Sequence, residues 1–237
     1  MIRPAPPPPA HPVIQRLTAL APLDDIAIAA LEAALDQPTI VRARRDILPE
    51  GAPITGLRLI ASGWATRIRL LADGRRQLLS FLLPGDLIGH CRQPDAVAVS
   101  TVTAITDVAT CPAPLPDDVP ALGPAYAMSD AYEEAYLLEH IARLGRLTAQ
   151  ERIYSLLLEL HERLSLNGLA CGRSFDLPLT QELLADSLGL TSVHINRTLK
   201  LARSLGDLCW QDRTVTLRDP VALAVQIGRT STRVSAV

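Results

Sequence analysis

The sequence has little with which to hold a metal, build a disulfide framework or cross a membrane. Its four cysteines, Cys91, Cys111, Cys171 and Cys209, stand far apart with no C-x-x-C among them, so neither a set of disulfides nor a zinc ribbon is legible. No apolar run reaches the roughly eighteen residues of a membrane-spanning helix, and the opening MIRPAPPPPAHP lacks the apolar core of a secretory signal. A cytoplasmic protein with no membrane partner is expected. The five histidines are scattered: His11 in the Pro-rich start, His140, His161 and His194 in helical stretches, and only His90 in the strand-rich part. A metal-dependent barrel enzyme would need several such ligands converging on one open-sided site. G-x-S-x-G, P-loop and H-E-x-x-H patterns are also missing. No enzyme is expected. The net charge of −2 is no nucleic-acid signature, yet from Thr180 to the end seven Lys/Arg face five Asp/Glu, leaving the acidic excess in the rest of the chain.

What is present comes in four parts. A chain of 237 residues, 48% hydrophobic, is long enough to bury two cores. Residues 1–12 form a Pro-rich arm, expected to be disordered or polyproline-like. Residues 13–124 open with a helical stretch from Val13 to Leu35 and then change to short apolar runs punctuated by Gly51, Gly56, Gly63, Gly74 and Gly85, the pattern of a barrel or roll. Within them ADGR, Ala72 to Arg75, signals a tight hairpin turn. Residues 125–147 contain no internal proline and carry two apolar stripes. Met128, Tyr132, Ala135, Leu138 and Ala142 form one, and Leu137, Ile141 and Leu144 the other. One stripe suits packing on the roll; the second calls for another partner, either a second copy of the helix or a second domain of a monomer. For a dimer the expected interface is Met128, Tyr132, Leu137, Ile141 and Leu144. Residues 148–237 begin at Thr148, whose spacing to Glu151 is that of a capping box. A helix with Ile153, Leu157, Leu160 and Leu164 on one side follows, then a loop over Asn167 to Ser174.

The last part holds LTQELLADSLGLTSVHINRTLKLARSLGDL. Thr180 is a good N-cap, Leu183, Leu184, Ala185 and Leu188 make an apolar stripe, and Gly189 can end the helix in the left-handed conformation. Thr191 caps a second helix in which Ile195, Leu199, Ala202 and Leu205 face inward. Its opposite face carries Val193, Asn196, Arg197 and Lys200, with Ser192 at the leading end. Hydrogen-bond donors, one small apolar group and two cations suit base edges and phosphates of double-stranded DNA. A plain helical hairpin with a solvated polar face is the bland alternative. After Gly206, DLCWQDRTVTLRDP alternates, with Leu208, Trp210, Val215 and Leu217 on one face and Asp212-Arg213 at a turn: a β-hairpin wing. The expected DNA-binding residues are Thr180, Thr191, Ser192, Val193, Asn196, Arg197, Lys200 and Arg213.

Helix, turn, helix and wing in this order resemble the DNA-binding end of the Crp/Fnr family of bacterial transcription regulators. The runs ILPEG, IASGW, DGRRQLLSFLLPGD and LIG resemble that family's cyclic-nucleotide-binding-like β-roll, so the likeness spans about Val13 to Pro220. It implies an α+β fold with an N-terminal β-roll (a double-stranded β-helix), a long dimerisation helix and a C-terminal winged helix-turn-helix. It also implies a homodimer on a palindromic operator, with RNA polymerase as a partner. Arg197 falls on a base-reading position of the family pattern. Ser192 and Val193 fall on two more but depart from the charged residues common there. Cyclic-AMP-binding relatives hold the phosphate with an Arg-Ser pair after a G-E turn; here LIGHCRQPDAVAVS is shorter and places Ala96 and Val97 in that register, which cannot bind an anion through side chains. Arg92 could substitute only in a remodelled loop. A residual effector pocket would involve Gly85, Asp86, Gly89, His90 and Arg92, and no cyclic-AMP response is expected. No cysteine precedes Cys91, against the family's iron–sulfur sensors. His90-Cys91 has no third ligand in view, which leaves haem or another ligand a remote option and no cofactor or metal predicted. A signalling or scaffolding protein that keeps the roll as a partner module and does not bind DNA is the alternative function.

Overall fold

The computed structural model describes residues 10–89 and 93–234, so the arm up to Pro9 and the His90–Arg92 stretch lie outside it. The expected arm runs through Pro12, but Pro12 is already helical. Its locked φ suits the first turn of α1 (Pro12–Leu20), and His11 caps that turn by accepting from Val13 N at 3.3 Å. Helix α2 (Asp25–Leu35) starts behind Asp24, whose carboxylate accepts from Ala27 N at 2.8 Å.

Eight short strands follow: β1 (Thr39–Val41), β2 (Asp46–Leu48), β3 (Arg58–Ser62), β4 (Ala65–Leu70), β5 (Arg76–Leu82), β6 (Leu87–Ile88), β7 (Thr101–Ala104) and β8 (Val108–Pro112). They pair antiparallel into two sheets of order β1-β8-β3-β6 and β2-β7-β4-β5. Between them Ile60, Ala65, Leu82, Ile88, Val102, Ala104 and Val108 form a buried apolar interior. This is the roll that the glycine-punctuated apolar runs predict. The turn at Asp73-Gly74 differs in detail: it is a loop from Leu71 to Arg75, closed by Leu71 N donating to Arg75 O at 2.7 Å. Only Gly74, at φ 84°, enters the left-handed region.

Helix α3 (Leu122–Arg146) begins three residues before the expected Ala125. Leu147 is extended, and α4 (Ala149–Leu166) restarts at once behind the Thr148–Glu151 capping box. The expected loop over Asn167 to Ser174 is a second hairpin instead. Strands β9 (Ala170–Cys171) and β10 (Ser174–Asp176) turn at Gly172, and β10 pairs with the wing. These strands are too short for an alternating pattern to register, and Phe175 alone of the pair is buried. The head then runs α5 (Gln181–Leu188), α6 (Ser192–Ser204), β11 (Leu208–Gln211), β12 (Thr214–Leu217) and α7 (Pro220–Gln226), with sheet order β11-β12-β10-β9. Its core is not separate from the roll. Trp64, Leu78, Phe81 and Leu83 of the roll join Ile153, Leu157, Leu160, Leu184, Leu199 and Val215 in one buried cluster.

Candidate nucleic-acid interface

Local chemistry sets the angle between α5 and α6. Thr180 Oγ1 accepts from Leu183 N at 3.1 Å, and Thr191 Oγ1 accepts from His194 N at 3.2 Å. Between the two caps, Gly189 sits at φ 60°, ψ 38° and ends α5, a conformation that costs a side-chain-bearing residue about 1 kcal/mol or more. Ile195, Leu199 and Ala202 then bury the inner face of α6. Leu205, expected inside, is the C-cap and half exposed. The outer face stays free: Ser192, Val193, Asn196, Arg197 and Lys200 are all exposed, Val193 at 76%. A helix that keeps an apolar valine outward beside two cations offers base contact and phosphate contact on one face. Arg213 is at the wing turn as expected, beside Asp212 at φ 52°, and pairs with Asp176 at 2.9 Å.

The residues expected around an effector have structural partners. Asp86 Oδ1 meets Arg16 Nη2 at 2.6 Å, and its Oδ2 accepts from Arg163 Nη2 at 2.7 Å and Leu83 N at 2.6 Å. Gly85 packs on Arg16, whose Cδ would stand 2.8 Å from any added Cβ. Beside them, the cavity against Tyr136 and Ser129 has a volume of about 20 Å³, room for one water. Gly89 crosses close to the Gly56 backbone, while His90 and Arg92 lie outside the described residues.

From Asp86 a buried ion chain runs into the helices. Arg163 Nη1 reaches Glu159 at 3.3 Å, Glu159 reaches Arg143 Nη2 at 2.5 Å, and the Arg163 guanidinium lies over the Tyr136 ring. Burial pushes the Glu159 carboxyl up, but Arg143 and Arg163 outweigh it and hold it below the ordinary carboxylate value. His140, between these groups and the roll, is pushed down by burial and by Arg143, which outweigh the pull of Glu159 and of the Leu78 backbone toward the charged ring. Sequence reading missed this chain; only the four-residue spacing of Glu159 and Arg163 hinted at it.

On α3 the buried side is the one with Tyr126, Ser129, Tyr136, His140 and Arg143. The outward row is Ala127, Ala131, Glu134, Leu138, Ile141 and Gly145, in alternating four- and three-residue steps, all exposed but the part-buried Ala131, with Leu138 60% and Ile141 67% exposed. Of the five residues expected at a dimer seam, Ile141 alone is on that row. Met128, Tyr132, Leu137 and Leu144 are part-buried by their own chain, Tyr132 stacked on Tyr136 and Leu144 reaching the turn at Gly189.

Comparison with known proteins agrees with this geometry. A Crp-like helix-turn-helix domain model matches residues 151–225, and a cyclic nucleotide-binding domain model matches residues 39–116. The nitrogen fixation regulation protein FixK of Azorhizobium caulinodans is 32% identical over 82% of this chain and 81% of its own. The transcriptional activator protein FnrL of Cereibacter sphaeroides is 30% identical over 79% of each chain. Among solved structures, FixK2 of Bradyrhizobium japonicum superposes with a TM-score of 0.68 at 28% identity, covering 83% of this chain and 98% of its own. A CRP-family regulator of Thermus thermophilus, at 22% identity and a TM-score of 0.63 over 84% of this chain and 100% of its own, shares the fold.

Proposed function

The chain belongs to the Crp/Fnr family of DNA-binding transcription regulators, and from that premise we propose that it works as a cytoplasmic homodimer whose two α6 helices read a near-palindromic operator. The observation that carries this reading is the free face of α6, where Val193, Asn196, Arg197 and Lys200 stand exposed on a helix braced from behind. A two-fold dimer places its half-sites about one helical turn apart, roughly 10–10.5 base pairs. The outward apolar row of α3 supplies the surface for the second copy, and RNA polymerase is the partner a bound regulator would meet.

The roll takes no cyclic AMP in this reading. Ala96 and Val97 carry no charge for its phosphate, and the Asp86 carboxylate is committed to Arg16 and Arg163. No haem, cluster or metal is assigned. Selection of bound sequences from a random DNA pool, followed by gel shifts across a salt series, tests the function: affinity must fall steeply as salt rises, because neutralised phosphates release counterions. Calorimetry with cyclic AMP should give no saturable heat. A micromolar isotherm would overturn that part.

A further inference from the structure

Helices α3 and α4 meet at a hinge of two residues, Leu147 and Thr148. Everything that reads DNA lies beyond that hinge, and everything that would pair with a second copy lies before it. The angle at Leu147 therefore sets where α6 can stand on a duplex.

The segment that follows α7 crosses the hinge. Past the end of α7 at Gln226, Gly228 takes φ 65°, and Arg229 N donates back to Ala224 O at 2.8 Å. This reversal turns the tail onto α3. Arg229 then holds one carboxylate on each side of the hinge. Its Nη1 and Nη2 fork onto Glu162 of α4 at 2.6 and 2.9 Å, and its Nε donates to Glu139 of α3 at 2.7 Å. Thr232 Oγ1 adds a 3.0 Å bond to Glu139. The Arg229 side chain is 5% exposed, so it has left water for these two partners; removing Glu139 takes away the acceptor of its Nε–H, and removing Arg229 leaves two carboxylates without the cation they share. Bidentate guanidinium–carboxylate geometry also fixes direction, which one lysine-like point charge does not.

We propose that Arg229 is a positioning residue for DNA reading: a C-terminal strap that locks the α3–α4 angle through Glu139 and Glu162. It rests on the DNA-binding function above, but not on any contact between the tail and DNA. A second brace, Arg143 to Glu159 at 2.5 Å, lies deeper in the same junction and keeps the helices packed when the strap is cut.

The test uses the full-length protein, with Arg229→Gln, Arg229→Lys and Glu139→Gln as variants. Arg229→Gln should weaken binding to the selected operator about five- to tenfold, the lower range of ordinary coupling between sites. The order of preferred bases should stay as in the wild type. The slope of log affinity against log salt should also stay parallel, because the strap touches no phosphate, whereas a lost phosphate contact lowers it by about one. Amide exchange over residues 144–150 should speed up without DNA present. Glu139→Gln should do the same, the double variant should be no worse than either single, and Arg229→Lys should recover part of the loss. Far-UV circular dichroism checks the fold, and Glu139→Gln, at a part-exposed position, serves if Arg229→Gln misfolds. Unchanged exchange at the hinge, unchanged affinity, or a salt slope reduced by about one would each overturn the strap. A wild type that binds no selected DNA would instead refute the DNA-binding function, with hinge exchange still deciding the strap.

Discussion

At the scale of single residues, Arg197 and Lys200 are close neighbours on the free face of α6, yet they should behave differently. Arg197 lies within the first two turns, where a helix in the major groove comes nearest the base edges, and a guanidinium can pair bidentately with guanine. Arg197→Ala should cost about 1–3 kcal/mol on the best operator and relax preference at one base pair. Lys200→Ala should weaken all sequences alike and lower the salt slope by about one. Equal, sequence-blind losses from both would remove α6 as the reading helix. His140 gives a second residue-scale expectation. It is buried next to Arg143 and held below its ordinary pKa of 6.5, so the fold accommodates the neutral ring. Unfolded chains take up the proton first as pH falls below that value. His140 stability is thus complete above about pH 6.5 and is lost toward acid, at no more than about 1.4 kcal/mol per pH unit. Urea unfolding at about pH 7 and pH 5 should show a steeper loss for the wild type than for His140→Gln. Equal losses would mean that the ring titrates freely. Caps such as Thr180, Thr191 and Gly189 were legible in the sequence because their chemistry is local. The Asp86–Arg163–Glu159–Arg143 chain was not, because Asp86 and Arg163 are 77 residues apart and nothing local marks a charge as buried.

At the scale of elements, periodicity served the short helices of the head and misled on α3. Counting apolar residues finds two stripes there, but the helix buries a third, partly polar face with Ser129, His140 and Arg143. Ion pairs and hydrogen bonds stand in for hydrophobic contact on that side, so Leu138 and Ile141 are left outward. That inversion sharpens the dimer prediction. The row Ala127, Ala131, Glu134, Leu138, Ile141 and Gly145 has the four–three spacing of a coiled-coil seam. Its small residues allow close approach at one end, and its two large apolar side chains sit near the other. Replacing Leu138 and Ile141 with Asp puts charge where a second copy would bury it. Light scattering at micromolar concentration should then give a monomer with wild-type circular dichroism and weakened operator binding. The same double change at part-buried Leu137 and Leu144 should lower stability more than it lowers association. A wild type already monomeric under those conditions would count against the seam.

At the scale of the whole molecule, the order of roll, long helix and winged head could be read along the sequence, but the way the parts join could not. Composition divides the chain into two units, whereas the largest buried cluster spans both: Trp64, Leu78, Phe81 and Leu83 from the roll with the helices and wing of the head. Polar contacts bridge the same join, with Arg76 Nε 2.6 Å from Asp186 and Gln77 Nε2 donating to the Asp186 carbonyl at 3.1 Å. A cluster that crosses the boundary cannot lose one side without exposing the other, so roll and head should unfold together. The two tryptophans make this measurable. Trp64 packs edge-on against Phe81 in the roll, and Trp210 is part-buried on the wing against the same cluster. Trp64→Phe leaves a fluorophore in the head only, and Trp210→Phe leaves one in the roll only. Each substitution trims the core and should lower the midpoint, so the comparison is made within each variant, between fluorescence and far-UV circular dichroism. Coincident transitions in both variants are expected of one cooperative unit. A gap wider than about 4 °C between the probes, the shift that roughly 1 kcal/mol produces in a chain of this size, would show that roll and head melt separately.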